Sequence, residues 1–304
     1  MSALPWSRAS AFSNAAFAAA KERIAHLKAA DDSLILPGAG TNCYDHGRQT
    51  ALAVVLLHGF TNNPIQFARL AAELYARGCN VLVPRLPGHG DADRMSTRLE
   101  GVTATEFTDA ANAAMDAAAG LGRRLAVSGI SLGGSLCAWL ATVRSDIDTI
   151  VSISPAIALN HMAVFVDRLV VGAMTRLPAD KYAWWDPKLK ERILPKHAYP
   201  RYPIRTLGEC LRIGEDIIAA RGPFPGSERS RVAFALNPGD GTVNDRVVAS
   251  IAQKWNSSEW VAARIAMISG VPAFHDIIEP EAPGARIDKV YPQVIQLIAG
   301  DAQG

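Results

Sequence analysis

The stretch Gly129-Ile130-Ser131-Leu132-Gly133 carries the strongest chemical signal in the sequence. A serine hydroxyl acts as a nucleophile when a base takes its proton and the backbone thrusts it clear of neighbouring side chains. Leu125–Ile130 reads as a strand and Leu132–Val143 as a helix, so Ser131 stands on a sharp strand-to-helix turn. Glycines at −2 and +2 remove side chains that would collide there. The helix that follows points its amino end at the site, and the Leu132 N–H is placed to help bind an oxyanion. The five-residue pattern alone is weak, because an ordinary glycine-rich turn also produces it. The strand before it and the helix after it give it weight.

Three further segments could complete the chemistry. Leu57-His58-Gly59-Phe60 follows an apolar run, and a loop there would set the Phe60 N–H beside that of Leu132 as an oxyanion hole. His58 invites a catalytic reading, but a structural hydrogen bond in this turn suits it better, and the same holds for His89 in Arg85-Leu86-Pro87-Gly88-His89-Gly90. Asn237-Pro238-Gly239-Asp240-Gly241 ends another apolar run, and Asp240 is the chosen carboxylate to orient a histidine, with Asp245 the alternative. Asp240 could also be a plain Asp-Gly turn residue. Last comes Ser269-Gly270-Val271-Pro272-Ala273-Phe274-His275-Asp276. Of the seven histidines, only His275 stands late enough for a Ser…Asp…His chain order, and it is the expected general base. Asp276 is a poor orienter, since neighbouring side chains point apart.

The elements that must hold these groups alternate. Strand candidates are Ala51–Leu57, Asn80–Val83, Leu125–Ile130, Thr149–Ile153, Arg231–Leu236 and Arg264–Ile268, all continuous apolar runs, as strands covered on both faces read. Asn63 can cap a helix that opens with Pro64 and runs to about Ala76. Thr103 and Glu106 have capping-box spacing ahead of a helix to about Ala119, and further helices are expected after Ser131, after Asn244 and near the C-terminus. This alternation predicts an α/β fold with a doubly wound, mostly parallel sheet. It fails between about Pro155 and Ser230, where many prolines (Pro178, Pro187, Pro195, Pro200 and Pro203 among them) and the cluster Tyr182, Trp184, Trp185 occur. That length is too great for a loop, so a mainly helical insertion over the sheet is the economical reading. Residues 10–30 favour helix, with Phe12, Phe17, Ile24 and Leu27 as a broken apolar stripe. The expected organisation is an N-terminal helical arm at 1–40, a core at 41–154 and 231–304, and a cap insertion at 155–230.

Composition narrows the function. The chain has 304 residues, 49% hydrophobic, enough to bury a core without disulfides or metals. Its 31 basic and 29 acidic residues leave a net charge of +2, and no basic tract occurs, so nucleic-acid binding is not expected. Cysteines 43, 79, 137 and 210 form neither a CxxC pair nor a zinc pattern, which fits free thiols in a reducing compartment. Cys43 is expected to be the most exposed. The longest apolar candidate, Met162–Met174, carries Asp167 and Arg168 and falls short of the roughly 18 residues a membrane span needs. With no secretory pattern at the N-terminus, cytoplasmic is the default location.

The segments LLHGFTNNP, VLVPRLPGHG, GISLGG, DGTVN and FHDII, in this order, resemble the α/β-hydrolase superfamily, and within it bacterial carboxylesterases and monoacylglycerol lipases. The resemblance spans about residues 51–280 and implies Ser131 as nucleophile, His275 as base then acid, Asp240 as its orienting carboxylate, and Phe60 and Leu132 as oxyanion donors. It implies hydrolysis of a small-molecule carboxylic ester through an acyl-enzyme, with no metal or organic cofactor. Phe165, Leu169, Met174, Trp184 and Trp185 suggest an apolar pocket for short-to-medium acyl chains, or simple packing of the cap. Amide, thioester or carbon–carbon bond hydrolysis and acyl transfer would use the same triad, and a non-catalytic binding protein of this fold is the remaining alternative. A serine at this turn speaks against an aspartate nucleophile. A homo-oligomer is compatible with the sequence but not predicted by it.

Overall fold

The computed structural model describes residues 12–160, 162–224, 230–256 and 262–300. Nine strands and eight α-helices occur among them: β1 (Asn42–Tyr44), β2 (Thr50–Leu57), β3 (Asn80–Val83), β4 (Gly122–Ile130), β5 (Thr149–Ile153), β6 (Tyr182–Trp184), β7 (Arg201–Pro203), β8 (Arg231–Leu236) and β9 (Ala262–Met267), with α1 (Asn14–Ala29), α2 (Ile65–Ala76), α3 (Ala104–Ala118), α4 (Leu132–Val143), α5 (Val164–Met174), α6 (Ile204–Ala219), α7 (Asp245–Asn256) and α8 (Ile287–Ala299).

Seven strands form one sheet in the order β1-β3-β2-β4-β5-β8-β9, parallel except for β1. The six strands expected from apolar runs are all present, with β4 three residues longer at its start. β1 has no apolar run of its own and pairs antiparallel with β3 at the edge, Cys43 opposite Leu82. Side chains alternate across the sheet. Ala53, Val55 and Leu57 enter the core shared with α3, α4 and α7, whereas Leu52, Val54 and Leu56 enter the core shared with α2 and α8. All six are buried, which is why the sequence of β2 shows no polar alternation.

The helix starts follow their capping chemistry. Thr103 Oγ1 accepts from Glu106 N at 3.3 Å and Glu106 Oε2 accepts from Thr103 N at 2.9 Å, a complete capping box for α3. Asn63 Oδ1 accepts from Ile65 N at 3.0 Å ahead of α2, with Pro64 already in helical geometry. α1 packs through Ala20 and Ile24, while Phe12 stays outside it under the Arg123 guanidinium, 4.3 Å from the ring centre. Between β5 and β8 stand α5, α6 and a feature the sequence did not announce, the antiparallel ribbon β6–β7, with Ala183 opposite Tyr202. Among the described residues no helix is long and apolar enough to cross a membrane. The four cysteines are free, and Cys43 is the one that is not buried.

Candidate active site

Ser131 sits where β4 turns into α4, with φ 58° and ψ −115°. An L-residue reaches this left-handed region only at a penalty of about 1–3 kcal/mol, so surrounding bonds must impose it. They do: Ser131 N donates to Ile153 O at 3.0 Å, and Ser131 O accepts from Ala156 N at 3.2 Å and Ser135 N at 2.9 Å. The turn also needs its glycines. A Cβ on Gly133 would overlap the Leu57 carbonyl, and one on Gly129 would overlap the Gly133 backbone.

His275 and Asp240 come together from the ends of β9 and β8. His275 Nδ1 donates to Asp240 Oδ2 at 2.6 Å, and the Asp240 side chain is fully buried. Burial alone would raise the Asp240 pKa, but the His275 bond and the Thr242 N–H at 2.8 Å outweigh it and leave the carboxyl below its ordinary value. With Nδ1–H so engaged, His275 Nε2 carries the lone pair, and it is buried without a hydrogen-bond partner among the described residues. Asp245, the alternative carboxylate, makes no such bond. Burial and the neighbouring Asp240 charge raise its pKa instead.

Ser131, His275, Phe60 and Leu132 line one cavity of about 450 Å³. Leu132 opens α4 and so has no intrahelical acceptor for its N–H. The Phe60 loop is held by the two histidines of the HG and PGHG segments. His89 Nε2 accepts from Thr61 N at 3.1 Å, and His58 Nε2 accepts from Leu86 N at 3.1 Å. Each donates from Nδ1 to a nearby carbonyl, His89 to Pro87 O and His58 to Gly59 O. Burial holds both imidazoles neutral, that of His89 down to about 4. Both are structural.

The alpha/beta hydrolase family profile matches residues 54–295, well over half of the chain. The chain belongs to the alpha/beta hydrolase family. Over 116 residues it is 36% identical to a thermostable monoacylglycerol lipase of Bacillus sp. (strain H-257), a match covering 37% of this chain and 44% of that protein, hence less than half the relative's length. Among solved structures it resembles a monoacylglycerol lipase of Paleococcus ferrophilus, with TM-score 0.63, 18% identity, and coverage of 86% of this chain and 98% of that one. A monoglyceride lipase from Saccharomyces cerevisiae in complex with a substrate analog gives TM-score 0.63 at 15% identity, covering 84% and 88%. At these identities the structural likeness is one of fold.

The cavity has two characters. Leu159, Leu207, Leu211 and Val243 give it an apolar wall, while Asn62, Gln66 and Asp276 make a polar corner. Of the aromatic and aliphatic residues expected to shape the pocket, only Trp185 lines it. Phe165 and Leu169 are exposed on the outside of α5, because that helix turns Asp167 and Val171 inward and Asp167 Oδ1 accepts from Leu159 N at 2.8 Å. The apolar wall comes instead from α6 and from the loops after β5 and β8.

The polar corner opens into a buried network that pattern reading missed. Gln66 Oε1 accepts from Gly59 N at 2.8 Å, and its Nε2 donates to Asp276 Oδ2 at 2.7 Å. Asn62 Nδ2 reaches both Asp276 and Glu279, and His197 Nε2 meets Glu279 Oε2 at 3.0 Å. Burial and the Glu279 charge push the Asp276 carboxyl up to about 6. The available signal was Gln66 itself, a polar residue that interrupts the apolar side of α2. Among the described residues no group of three or more His, Cys, Asp or Glu side chains is placed to hold a metal ion.

Proposed function

We propose that this chain is a serine hydrolase cleaving carboxylic esters with short-to-medium acyl chains, or monoglyceride-like esters, through an acyl-enzyme. The observation that carries the reading is the 2.6 Å His275–Asp240 bond at the wall of the cavity that Ser131 enters from its strained turn. An imidazole whose Nδ1–H is bound to a buried carboxylate presents a basic Nε2, the arrangement a general base requires.

In the proposed reaction His275 Nε2 takes the Ser131 proton as the hydroxyl oxygen attacks the ester carbonyl carbon. The oxyanion is met by the N–H groups of Phe60 and Leu132, a kind of stabilisation worth about 10²–10³ in kcat per donor. The imidazolium then protonates the leaving alcohol, and water activated by His275 releases the acid. The acyl chain would lie on the apolar wall formed by Leu159, Leu207 and Leu211. The polar corner at Asn62, Gln66 and Asp276 suits an alcohol that carries further hydroxyls. We assign residues 155–230 as the cap of this enzyme, since they supply Trp185, Leu207 and Leu211 to the cavity.

The deciding experiment is hydrolysis of p-nitrophenyl esters from acetate to palmitate by wild type and Ser131→Ala. Turnover by wild type that Ser131→Ala loses, at an unchanged melting temperature, is the expected result. Equal turnover by both would end the assignment, and an optimum at acetate would remove the apolar acyl site.

A further inference from the structure

The proposed oxyanion donor, the Phe60 N–H, belongs to the peptide between Gly59 and Phe60, and the chain is pinned on both sides of it. Upstream, Gly59 N–H is held by Gln66 Oε1. Downstream, every polar atom of Thr61 is engaged: its N–H donates to His89 Nε2, its carbonyl accepts from Tyr199 N at 2.9 Å, and its hydroxyl donates to Phe60 O at 2.6 Å. A β-branched residue with φ 65° is an outlier that only its surroundings can enforce.

The hydroxyl bond to Phe60 O is directional because something else donates to that hydroxyl. Trp185 Nε1 reaches Thr61 Oγ1 at 2.8 Å, which leaves the hydroxyl proton free to point at Phe60 O. Trp185 follows β6 and belongs to the segment between β5 and β8. Its ring leans on Tyr202 at 4.3 Å between centres and meets Phe60 edge-on at 6.4 Å. It also lines the cavity, which puts the indole that holds Thr61 within reach of a bound ester.

We infer that Trp185 is a positioning residue for the oxyanion donor, acting through the Thr61 hydroxyl on the Phe60 carbonyl. This rests on the ester-hydrolase reading and deepens it. The segment over the sheet does more than wall the pocket: it supplies the bond that fixes the peptide next to the donor. Ligands that displace the indole would loosen the oxyanion hole, and ligands that press it into place would tighten it.

Three variants test this. Trp185→Phe keeps the aromatic contacts and removes the N–H. Thr61→Val keeps the branched shape and removes the hydroxyl, and Thr61→Ser keeps the hydroxyl. For each, kcat and KM are measured on the best p-nitrophenyl ester. Inhibition by an alkyl trifluoromethyl ketone is measured against its plain methyl ketone. Ser131 Oγ adds to the carbonyl carbon of the fluorinated ketone, its proton goes to His275 and an oxyanion is left in the hole. The ratio of the two, compared among variants that keep Ser131 and His275, therefore reads adduct formation apart from ground-state binding.

Trp185→Phe and Thr61→Val are expected to lower kcat by roughly ten- to a hundredfold with KM within about twofold, and to lose the trifluoromethyl preference in parallel. Thr61→Ser should recover most of what valine loses. An unchanged kcat, or a raised KM with the ketone preference intact, overturns the inference and leaves Trp185 as pocket wall. Should one variant not fold, by melting temperature, the other decides by itself. A wild type without Ser131-dependent turnover would instead sink the function proposed above.

Discussion

Gln66 Nε2 donates to Asp276 Oδ2 at 2.7 Å, and this bond joins the first turn of α2 to the residue directly behind His275. Because Gln66 Oε1 also holds Gly59 N–H, one buried side chain ties Gly59 to Asp276, two segments far apart in sequence. Gln66→Leu fills similar space but leaves Gly59 N–H and Asp276 short of partners. Each unsatisfied buried group is worth about 1–3 kcal/mol, so a stability loss of about 2–4 kcal/mol is expected in urea unfolding. Ester turnover should fall by roughly tenfold with it, as the two loops lose their common brace. An unchanged unfolding midpoint would show that the bridge is idle.

The two candidate carboxylates make separable predictions. Asp240→Asn keeps the shape but loses the acceptor that fixes the His275 tautomer, and kcat should drop by about 10⁴. Asp245→Asn should lower kcat by less than about tenfold, since Asp245 makes no hydrogen bond to His275. A larger effect at Asp245 than at Asp240 would reverse the assignment.

Much of this architecture was legible beforehand, for definite reasons. β2, β3, β4, β5 and β8 announced themselves because their apolar residues pack on both faces of the sheet, and α3 did so because Thr103 and Glu106 form its capping box. β9, at the sheet edge with Ile265 and Met267 exposed, showed only through its apolar composition. The three-residue strands β1, β6 and β7 are too short to show a period. Chain order and turn chemistry picked out the segments around Phe60, Ser131, Asp240 and His275. Which side of α5 faces the cavity depends on its neighbours, so Phe165 and Leu169 were misjudged. Gln66, Thr61 and Trp185 act through tertiary bonds that no local pattern encodes.

Two buried groups should tilt stability in opposite directions with pH. Asp276 titrates at about 6 when folded and near 4 when unfolded. Its contribution to stability is thus full below about pH 4 and is lost as pH rises through about 6. His89, held at about 4 by burial, would titrate near 6.5 in an unfolded chain. Its contribution is full above about pH 6.5 and is lost as pH falls toward 4. Against wild type, Asp276→Asn should therefore gain about 2 kcal/mol in relative stability between pH 4 and 6.5, and His89→Gln should lose a similar amount over the same range. Parallel pH profiles for both variants and wild type would contradict this.

Gly133→Ala tests the turn itself. Its new methyl would meet the carbonyl oxygens of Leu57, at the end of β2, and of His58, which follows it toward Phe60. A loss of at least about 3 kcal/mol is expected in thermal or urea unfolding. Wild-type stability in this variant would mean that the turn has room it is not shown to have.

β5 contributes no side chain to the proposed triad, yet it sets the gauge on which the triad is built. It lies between β4, which leads into Ser131, and β8, which leads to Asp240. Two interstrand steps put roughly 10 Å between those strand ends, a gap the width of a carboxylate and an imidazole laid end to end. Ile153 O takes the Ser131 N–H on one side of β5, and Ser154 N donates to Ala235 O on the other. Ser152, buried in the middle of this spacer, donates its hydroxyl to Gly134 O at 2.7 Å and so keys β5 to the first turn of α4. A sequence could keep every reactive group and still fail here, like a lock cut correctly on a misaligned cylinder.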